Sequence, residues 1–209
     1  MEMLREPVTS VVDASRGGMS GNTGRYEKRL SDLAGLYEDA AAHSDLTRRL
    51  DDPVVYAVED FRPGDHAGDL IYGVTRMMPG LIGREFFLTR GHIHAKADRP
   101  EIYYGQKGKG LMQLESPEGE TRIVEIGPQT ICYVPPYWIH RSINVGEDDL
   151  VMVFAYPSDS GQDYGIIEAS NGMRHRVMAD GNGGWSLVEN KDYRPRSGEN
   201  IADLMKRYA

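Results

Sequence analysis

At 209 residues, with 27% of them charged and a formal net charge of -8, the chain is sized for one domain with room for a buried core. The acidic balance argues against nucleic acid or an anionic membrane as a partner. No stretch approaches the roughly eighteen apolar residues of a membrane span. The start, MEMLREPVTS, lacks a basic, then apolar, secretory pattern, and Cys132 is the single cysteine, so a reducing, cytoplasmic location is expected.

Residues 1–27 are polar and rich in Gly, Ser and Thr, which predicts a flexible arm. Leu30, Leu33, Tyr37 and Ala41 then recur at steps of three and four, predicting a helix over Arg29–His43. Asp45 could cap a further turn to Leu50. From Val54 the pattern becomes one of short strands: Val54–Glu59, Leu70–Met77, Glu85–Thr89, Glu101–Gln106, Leu111–Glu115, Thr121–Ile126, Thr130–Val134 and Leu150–Tyr156. Gly- and Pro-rich turns such as MPGLIG, GKG and SPEGE separate them, as in an antiparallel sandwich or barrel. Ile131 and Tyr133 mark Cys132 as a buried strand residue rather than a nucleophile. Residues 180–196 suggest an exposed hairpin, and Ile201, Leu204, Met205 and Tyr208 a short amphipathic helix.

The stretch TRGHIHAKADRPE carries the most chemistry. His92 and His94 lie two residues apart, so on extended backbone both point to one face. Glu101 on a hairpin partner and His140, in PPYWIHRSIN, could join them. A lone histidine is more often structural than a ligand, but three imidazoles and one carboxylate suit Fe(II), Zn, Mn, Ni or Co with sites left open. His66 and His175 have no partner at ligand spacing and read as surface residues, and His43 as the end of a helix.

GHIHAKADRPE with the later GKG resembles the first cupin motif, with a longer gap between histidine and glutamate than many cupins show, and GPQTICYVPPYWIHRSIN resembles the second. RLSDLAGLYEDAAA, DPVVY, REFFLTRGHIHAKADRPEIYYGQKGKG, YVPPYWIHRSINVG and YPSDSGQDYG together are similar to the cupin-type glucose-6-phosphate isomerases, the archaeal form also found in some bacteria. The resemblance implies an all-β double-stranded β-helix, or jelly roll, with short terminal helices. Its domain would span residues 28–192, between the arm (1–27) and an extension (193–209) with a short helix. It implies interconversion of glucose 6-phosphate and fructose 6-phosphate by a homodimer holding one divalent metal per subunit. Fe(II) comes first, with Zn, Mn or Ni as substitutes.

By that resemblance His92, His94, Glu101 and His140 are the metal ligands, and Glu101, His140 and Tyr156 carry catalysis. Glu101 would shuttle a proton through a cis-enediol, or would serve only as a ligand while hydrogen moves as hydride. Thr75, Thr89 and Gly91 would hold the phosphate. Tyr56, Tyr103, Tyr137, Tyr156 and Tyr164 would line the sugar cavity, while Tyr104 and Tyr133 face away. Arg90, Lys96 and Arg99 cluster nearby as phosphate donors or as solvated charges. One departure stands out: Gln162 precedes DYG where the family pattern has histidine, so a residue able to titrate near neutrality is missing from ring opening. Two other readings share the motifs: a non-haem iron dioxygenase, which would consume oxygen, and a non-catalytic sugar-phosphate-binding module, which would bind without turnover.

Overall fold

Inward and outward side chains alternate along nearly every strand, and that alternation decides how the sheets stack. The computed structural model describes residues 5–64 and 66–206. In chain order the strands are β1 (Val12–Asp13), β2 (Gly18–Met19), β3 (Gly24–Arg29), β4 (Val54–Phe61), β5 (Leu70–Met77), β6 (Leu81–Ile82), β7 (Glu85–Phe86), β8 (Glu101–Lys107), β9 (Gly110–Glu115), β10 (Thr121–Ile126), β11 (Ile131–Val134), β12 (Ile139–Asn144), β13 (Leu150–Pro157), β14 (His175–Ala179) and β15 (Trp185–Glu189). The helices are α1 (Ala40–Arg49), α2 (Gly165–Ala169) and α3 (Gly198–Leu204), with a 3-10 turn at Leu30–Leu33.

A six-stranded antiparallel sheet runs β11-β8-β13-β5-β4-β3, and a three-stranded sheet runs β10-β9-β12. The two share one core, with Val58, Met77, Met152 and Phe154 from the first and Met112 and Leu114 from the second. A four-stranded sheet, β15-β14-β7-β6, backs the assembly. β9 and β12 are buried on both faces. Met112, Leu114, His140 and Ser142 share one face by register, while Gln113 and Glu115 turn the other way, onto the His175 carbonyl oxygen and the Arg174 amide. The strand pattern predicts an antiparallel sandwich or barrel, and the structure is the all-β double-stranded β-helix that the family resemblance implies.

Several local expectations change. Residues 5–27, expected as a flexible arm, contain β1, β2 and most of β3. Val12 and Met19 cover Val74 and Val151 on the outer face of the large sheet, and Met19 N–H donates to Glu59 Oε2 at 2.8 Å. The helix expected over Arg29–His43 breaks at Gly35, which has a φ of 83°. α1 starts afresh behind Asp39, whose side chain accepts from Ala42 N–H at 2.8 Å. His43 lies inside that helix, buried, with Nε2 donating to the Leu30 carbonyl oxygen at 2.8 Å, so it ties two elements together. The strand expected over Glu85–Thr89 shortens to β7 plus an isolated Leu88–Ile143 bridge. β12 and β14 are strands that the pattern of short runs did not delimit. In the terminal helix Leu204 is buried, and Tyr208 lies outside the described residues.

Leu111 on β9 is completely buried in the large apolar cluster. Leu111→Ala is expected to destabilise the protein by about 2–5 kcal/mol, seen as a lower urea midpoint with an unchanged m value.

Candidate metal centre

His92 and His94 reach one face without belonging to a regular strand. His92 pairs with His140, their amides and carbonyls exchanging bonds of 3.0 and 2.9 Å. Ile93 pairs on the opposite side with Asp163 and buries its side chain in a separate apolar cluster. The backbone is therefore locked extended from both flanks, and the two imidazoles fall on the same side. Gly91 makes the approach possible. It has a φ of 76°, and a Cβ there would lie 2.9 Å from Ile167 Cδ1 and 3.1 Å from the His140 carbonyl oxygen.

Glu101 opens β8 and points inward, as does Tyr103 two residues on, while Ile102 is exposed. The Nε2 atoms of His140, His94 and His92 lie 3.0, 3.3 and 3.9 Å from Glu101 Oε2. One ligand atom from each of the four residues falls within 4.8 Å of the others, so the group could hold a metal ion.

The hydrogen bonds behind the rings define their chemistry. His94 Nδ1–H donates to the Arg99 carbonyl oxygen at 2.7 Å, and His140 Nδ1–H to the Trp138 carbonyl oxygen at 3.1 Å. With Nδ1 protonated, each neutral ring presents a bare Nε2 lone pair. Those lone pairs face a carboxylate oxygen, acceptor against acceptor, and the Nε2 atoms of His92 and His94 are buried without hydrogen-bond partners. Only a positive charge between them reconciles the arrangement, so the donor set fits a divalent cation. Burial pushes the Glu101 carboxyl up, but positive charge on its His140 and His94 side, whether a proton or a cation, outweighs this and holds it well below the usual carboxylate range. Burial, then the neighbouring His140, lowers the His92 imidazole well below its ordinary value, which leaves a neutral ring able to ligate.

Beside this cluster lies a cavity lined by Tyr56, Thr75, Thr89, Gly91, Tyr103, Tyr156, Gln162 and Tyr164, together with His92 and Glu101. Burial pushes the Tyr156 phenol up to about 12 and, with the Glu101 charge second, raises Tyr103 well above its ordinary value. Both hydroxyls therefore keep their protons as donors at neutral pH. Tyr137 is not brought there. It occupies a turn with a φ of 70° and packs against the apolar cluster of Ile93 and Ile139. Tyr104 and Tyr133 lie off the cavity, and Tyr133 is exposed. His175 holds Thr121 Oγ1 at 2.8 Å, and His66 is exposed.

Of the three basic residues near the histidines, only Arg90 lines the cavity. Its guanidinium bonds the Glu168 carboxylate and stands 4.6 Å above the Tyr164 ring centroid. Lys96 and Arg99 instead converge on Asp159, at 2.9 and 2.8 Å. The sequence reading missed Tyr26, Asp60 and Arg62 among the lining residues. Asp60 was within reach of the alternation rule, because it shares the inward parity of Tyr56 and Val58 on β4. Tyr26 gave no signal, lying in the stretch read as an arm.

A family model described as "Glucose-6-phosphate isomerase (GPI)" matches residues 27–196. A glucose-6-phosphate isomerase of Sinorhizobium medicae is 58% identical over 204 residues, covering 98% of this chain and 95% of that protein. One from Thermococcus kodakarensis is 42% identical over 177 residues, covering 85% and 92%. Among solved structures, an oxalate oxidase in complex with the substrate analogue glycolate is 18% identical, covering 53% of this chain and 55% of that one with a TM-score of 0.44.

Asp159 fixes Arg99, whose carbonyl orients His94. Hydrogen bonds from Arg99 first and Lys96 second hold the Asp159 carboxyl well below the usual carboxylate range. The folded chain thus binds that proton less tightly than the unfolded chain does. The resulting stability is complete above the unfolded value, about 3.9, and is lost as pH falls through the lower folded value. Asp159→Asn is expected to lower the urea midpoint at pH 7, with the deficit shrinking between pH 5 and pH 2. A pH-independent deficit would assign the effect to packing instead.

Proposed function

The chain belongs to the glucose-6-phosphate isomerase family, and on that footing we propose that it interconverts glucose 6-phosphate and fructose 6-phosphate at the His92–His94–Glu101–His140 centre. The observation that carries this reading is the convergence of three Nε2 atoms on one buried carboxylate oxygen, directly beside a cavity of phenols and hydroxyls.

A divalent cation held there, Fe(II) first and Zn, Mn or Ni as substitutes, would supply Lewis acidity toward the substrate's C1 and C2 oxygens. The remaining work falls to this chain's own groups. Glu101 moves a proton between C1 and C2 through a cis-enediol. As a held-down, ionised carboxylate it is already in the base form, though a weak base, and it gains from placement rather than from basicity. His140, its Nε2 3.0 Å from Glu101, completes the group that would hold the cation, and Tyr156, whose ring packs 5.5 Å from that of His94, offers a proton-bearing hydroxyl beside it. Thr75, Thr89 and the Gly91 backbone take the phosphate, with Arg90 adding positive charge at the same cavity. Thr89 is held by its Oγ1 accepting from Ser142 N–H at 3.0 Å. Tyr56 and Tyr103 contact the sugar. Gln162, bonded by the Tyr164 hydroxyl, serves as an oriented amide for sugar hydroxyls and leaves ring opening to water or Tyr164.

The active species is proposed to be a dimer of two copies of this chain. Ile131, Tyr133 and Ile102 are exposed together on the outer face at the free edge of the large sheet, an apolar edge that a second copy would cover. Among the described residues no helix is long and apolar enough to cross a membrane.

Metal-stripped protein is expected to lose turnover of fructose 6-phosphate and regain it with Fe(II). Glu101→Gln should cost about 10²–10⁴-fold in kcat, and His140→Ala should lose bound metal as well. Turnover in D2O should place solvent deuterium in the product; its complete absence would assign Glu101 a ligand's role only. Full activity without metal would overturn the proposal. In sedimentation, the double substitution Ile131→Lys with Tyr133→Lys is expected to convert a dimer into monomers, and a monomeric parent protein would refute that interface.

A further inference from the structure

The cavity contains a charged group that the isomerase reading leaves without a task. Asp60 lies on β4 with the same inward parity as Tyr56 and Val58, and its side chain is 3% exposed. Arg62 binds one oxygen only, with Nε and Nη2 at 3.0 and 2.6 Å from Oδ2. Oδ1 is buried and has no hydrogen-bond partner, which for an ionised carboxylate is a costly arrangement unless something arrives to bond it.

Its setting depends on glycine. Both cross-strand neighbours of Asp60 are glycines, Gly24 on β3 and Gly73 on β5. A Cβ at Gly24 would stand 2.2 Å from Oδ1, so the carboxylate oxygen occupies the place a side chain there would take. A Cβ at Gly73 would stand 2.4 Å from the Glu59 carbonyl oxygen and 2.6 Å from Cζ of Phe154, whose ring lines the same cavity. A larger residue at Gly24 would displace Oδ1.

Register places Asp60 between the two ends of the proposed substrate. Val58 pairs with Thr75, in the row assigned to the phosphate. Asp60 falls in the next row, with Gly73, Phe154 and Tyr103. Tyr156 lies one row further on, opposite Ile71, and Glu101 is likewise two residues beyond Tyr103. Successive rows are about 7 Å apart. A hexose with its phosphate at the Thr75 row and C1 and C2 at the metal passes the row that Asp60 shares with Gly73, Phe154 and Tyr103, and Asp60 reaches that row from β4, the strand flanking β5 on the side away from the metal.

We propose that Asp60 is a substrate-binding, specificity-determining residue whose Oδ1 accepts a hydrogen bond from a hydroxyl of the sugar's middle carbons, C3 or C4. Arg62 neutralises and orients the carboxylate, so it does not repel the phosphate one row away. Gly24 leaves room for Oδ1 in that position. This inference rests on the isomerase reading and says how that site recognises its sugar.

The test compares glucose 6-phosphate with its 3-deoxy and 4-deoxy analogues, using metal-loaded parent protein, Asp60→Ala and Gly24→Ala. Gly24→Ala leaves the charge in place and displaces only the Oδ1 end of a flexible side chain. The parent is expected to lose about 10–100-fold in kcat/KM on one of the two analogues, as for a hydrogen bond to a charged group. Both variants should lose a similar factor on glucose 6-phosphate itself, through KM more than kcat, and should no longer distinguish it from that analogue. Metal content and melting temperature of Gly24→Ala should match the parent. Equal parental rates on all three sugars, or discrimination that survives in both variants, would overturn the assignment. Calorimetric binding of the same three compounds runs in parallel. A parent that binds the sugar phosphate without turning it over sinks the isomerase reading while binding still tests Asp60, and no binding at all sinks both.

Discussion

One buried carboxylate oxygen organises this protein. Glu101 Oε2 sits among three imidazole Nε2 atoms at 3.0–3.9 Å, in a place where an uncompensated charge costs several kcal/mol. The rings cannot solve this as neutral donors, because the Nδ1–H groups of His94 and His140 are already committed to backbone carbonyls. The centre could therefore hold a cation, and the four residues that meet there come from three separate parts of the chain. Holding them together is a constraint on the strand order as a whole rather than on any one loop.

The frame meets that constraint through backbone rather than through long side chains. The carbonyl that fixes His94 belongs to Arg99, and Arg99 is pinned by Asp159. The carbonyl that fixes His140 belongs to Trp138, which follows Tyr137 in its turn of positive φ. Tyr137 N–H donates to the Ala97 carbonyl oxygen at 2.6 Å, so the two ligand-bearing segments are also bonded to each other. Tyr137 thus contributes to the site from outside the cavity. Behind β12, Arg141 is buried near Glu85 and Glu115, and burial lowers its guanidinium to about 10. Ion pairs of Glu85 with Arg176 and of Glu115 with Arg196 surround it. A buried network of this kind tolerates little displacement, because breaking one pair strands another charge.

What could be read from residues alone follows from the physics of periodicity. Strands with one buried face announce themselves by alternation, so β4, β5, β8, β10, β11 and β13 were legible to within a residue or two, while β9, buried on both faces, was delimited by the GKG and SPEGE turns at its ends. The spacing of a few histidines pointed to a metal group, and the double-stranded β-helix was what the family resemblance implied. β12 was illegible as a strand because both of its faces are buried, and IHRSIN therefore shows no alternation of apolar and polar residues. The helix expected over Arg29–His43 failed because three- and four-residue spacing also suits a 3-10 turn and a fresh helix that share one core. Residues 5–27 looked unstructured because they cover only a small apolar patch, and covering it takes two side chains, Val12 and Met19. Tyr137 was misplaced because a tyrosine beside a ligand histidine is a cavity residue only if its backbone leaves the ring on that side.

Net charge is a poor guide to this cavity, and the reason is distance. The chain carries -8 overall, yet the proposed substrate is an anion. Ionic screening reduces exposed charges beyond about 8 Å at physiological salt. The decision therefore falls to the groups lining the cavity, and there the charges are arranged in opposed pairs. Asp60 is matched by Arg62, Glu101 would be matched by a cation held with the histidines, and Arg90 is shared with Glu168 at the surface. With such a cation in place, neither carboxylate of the cavity presents a bare negative field to a phosphate. The phenols beside them keep their protons and add donors without charge. An acidic surface and an anion-binding cavity coexist here because the cavity's electrostatics are settled locally, pair by pair.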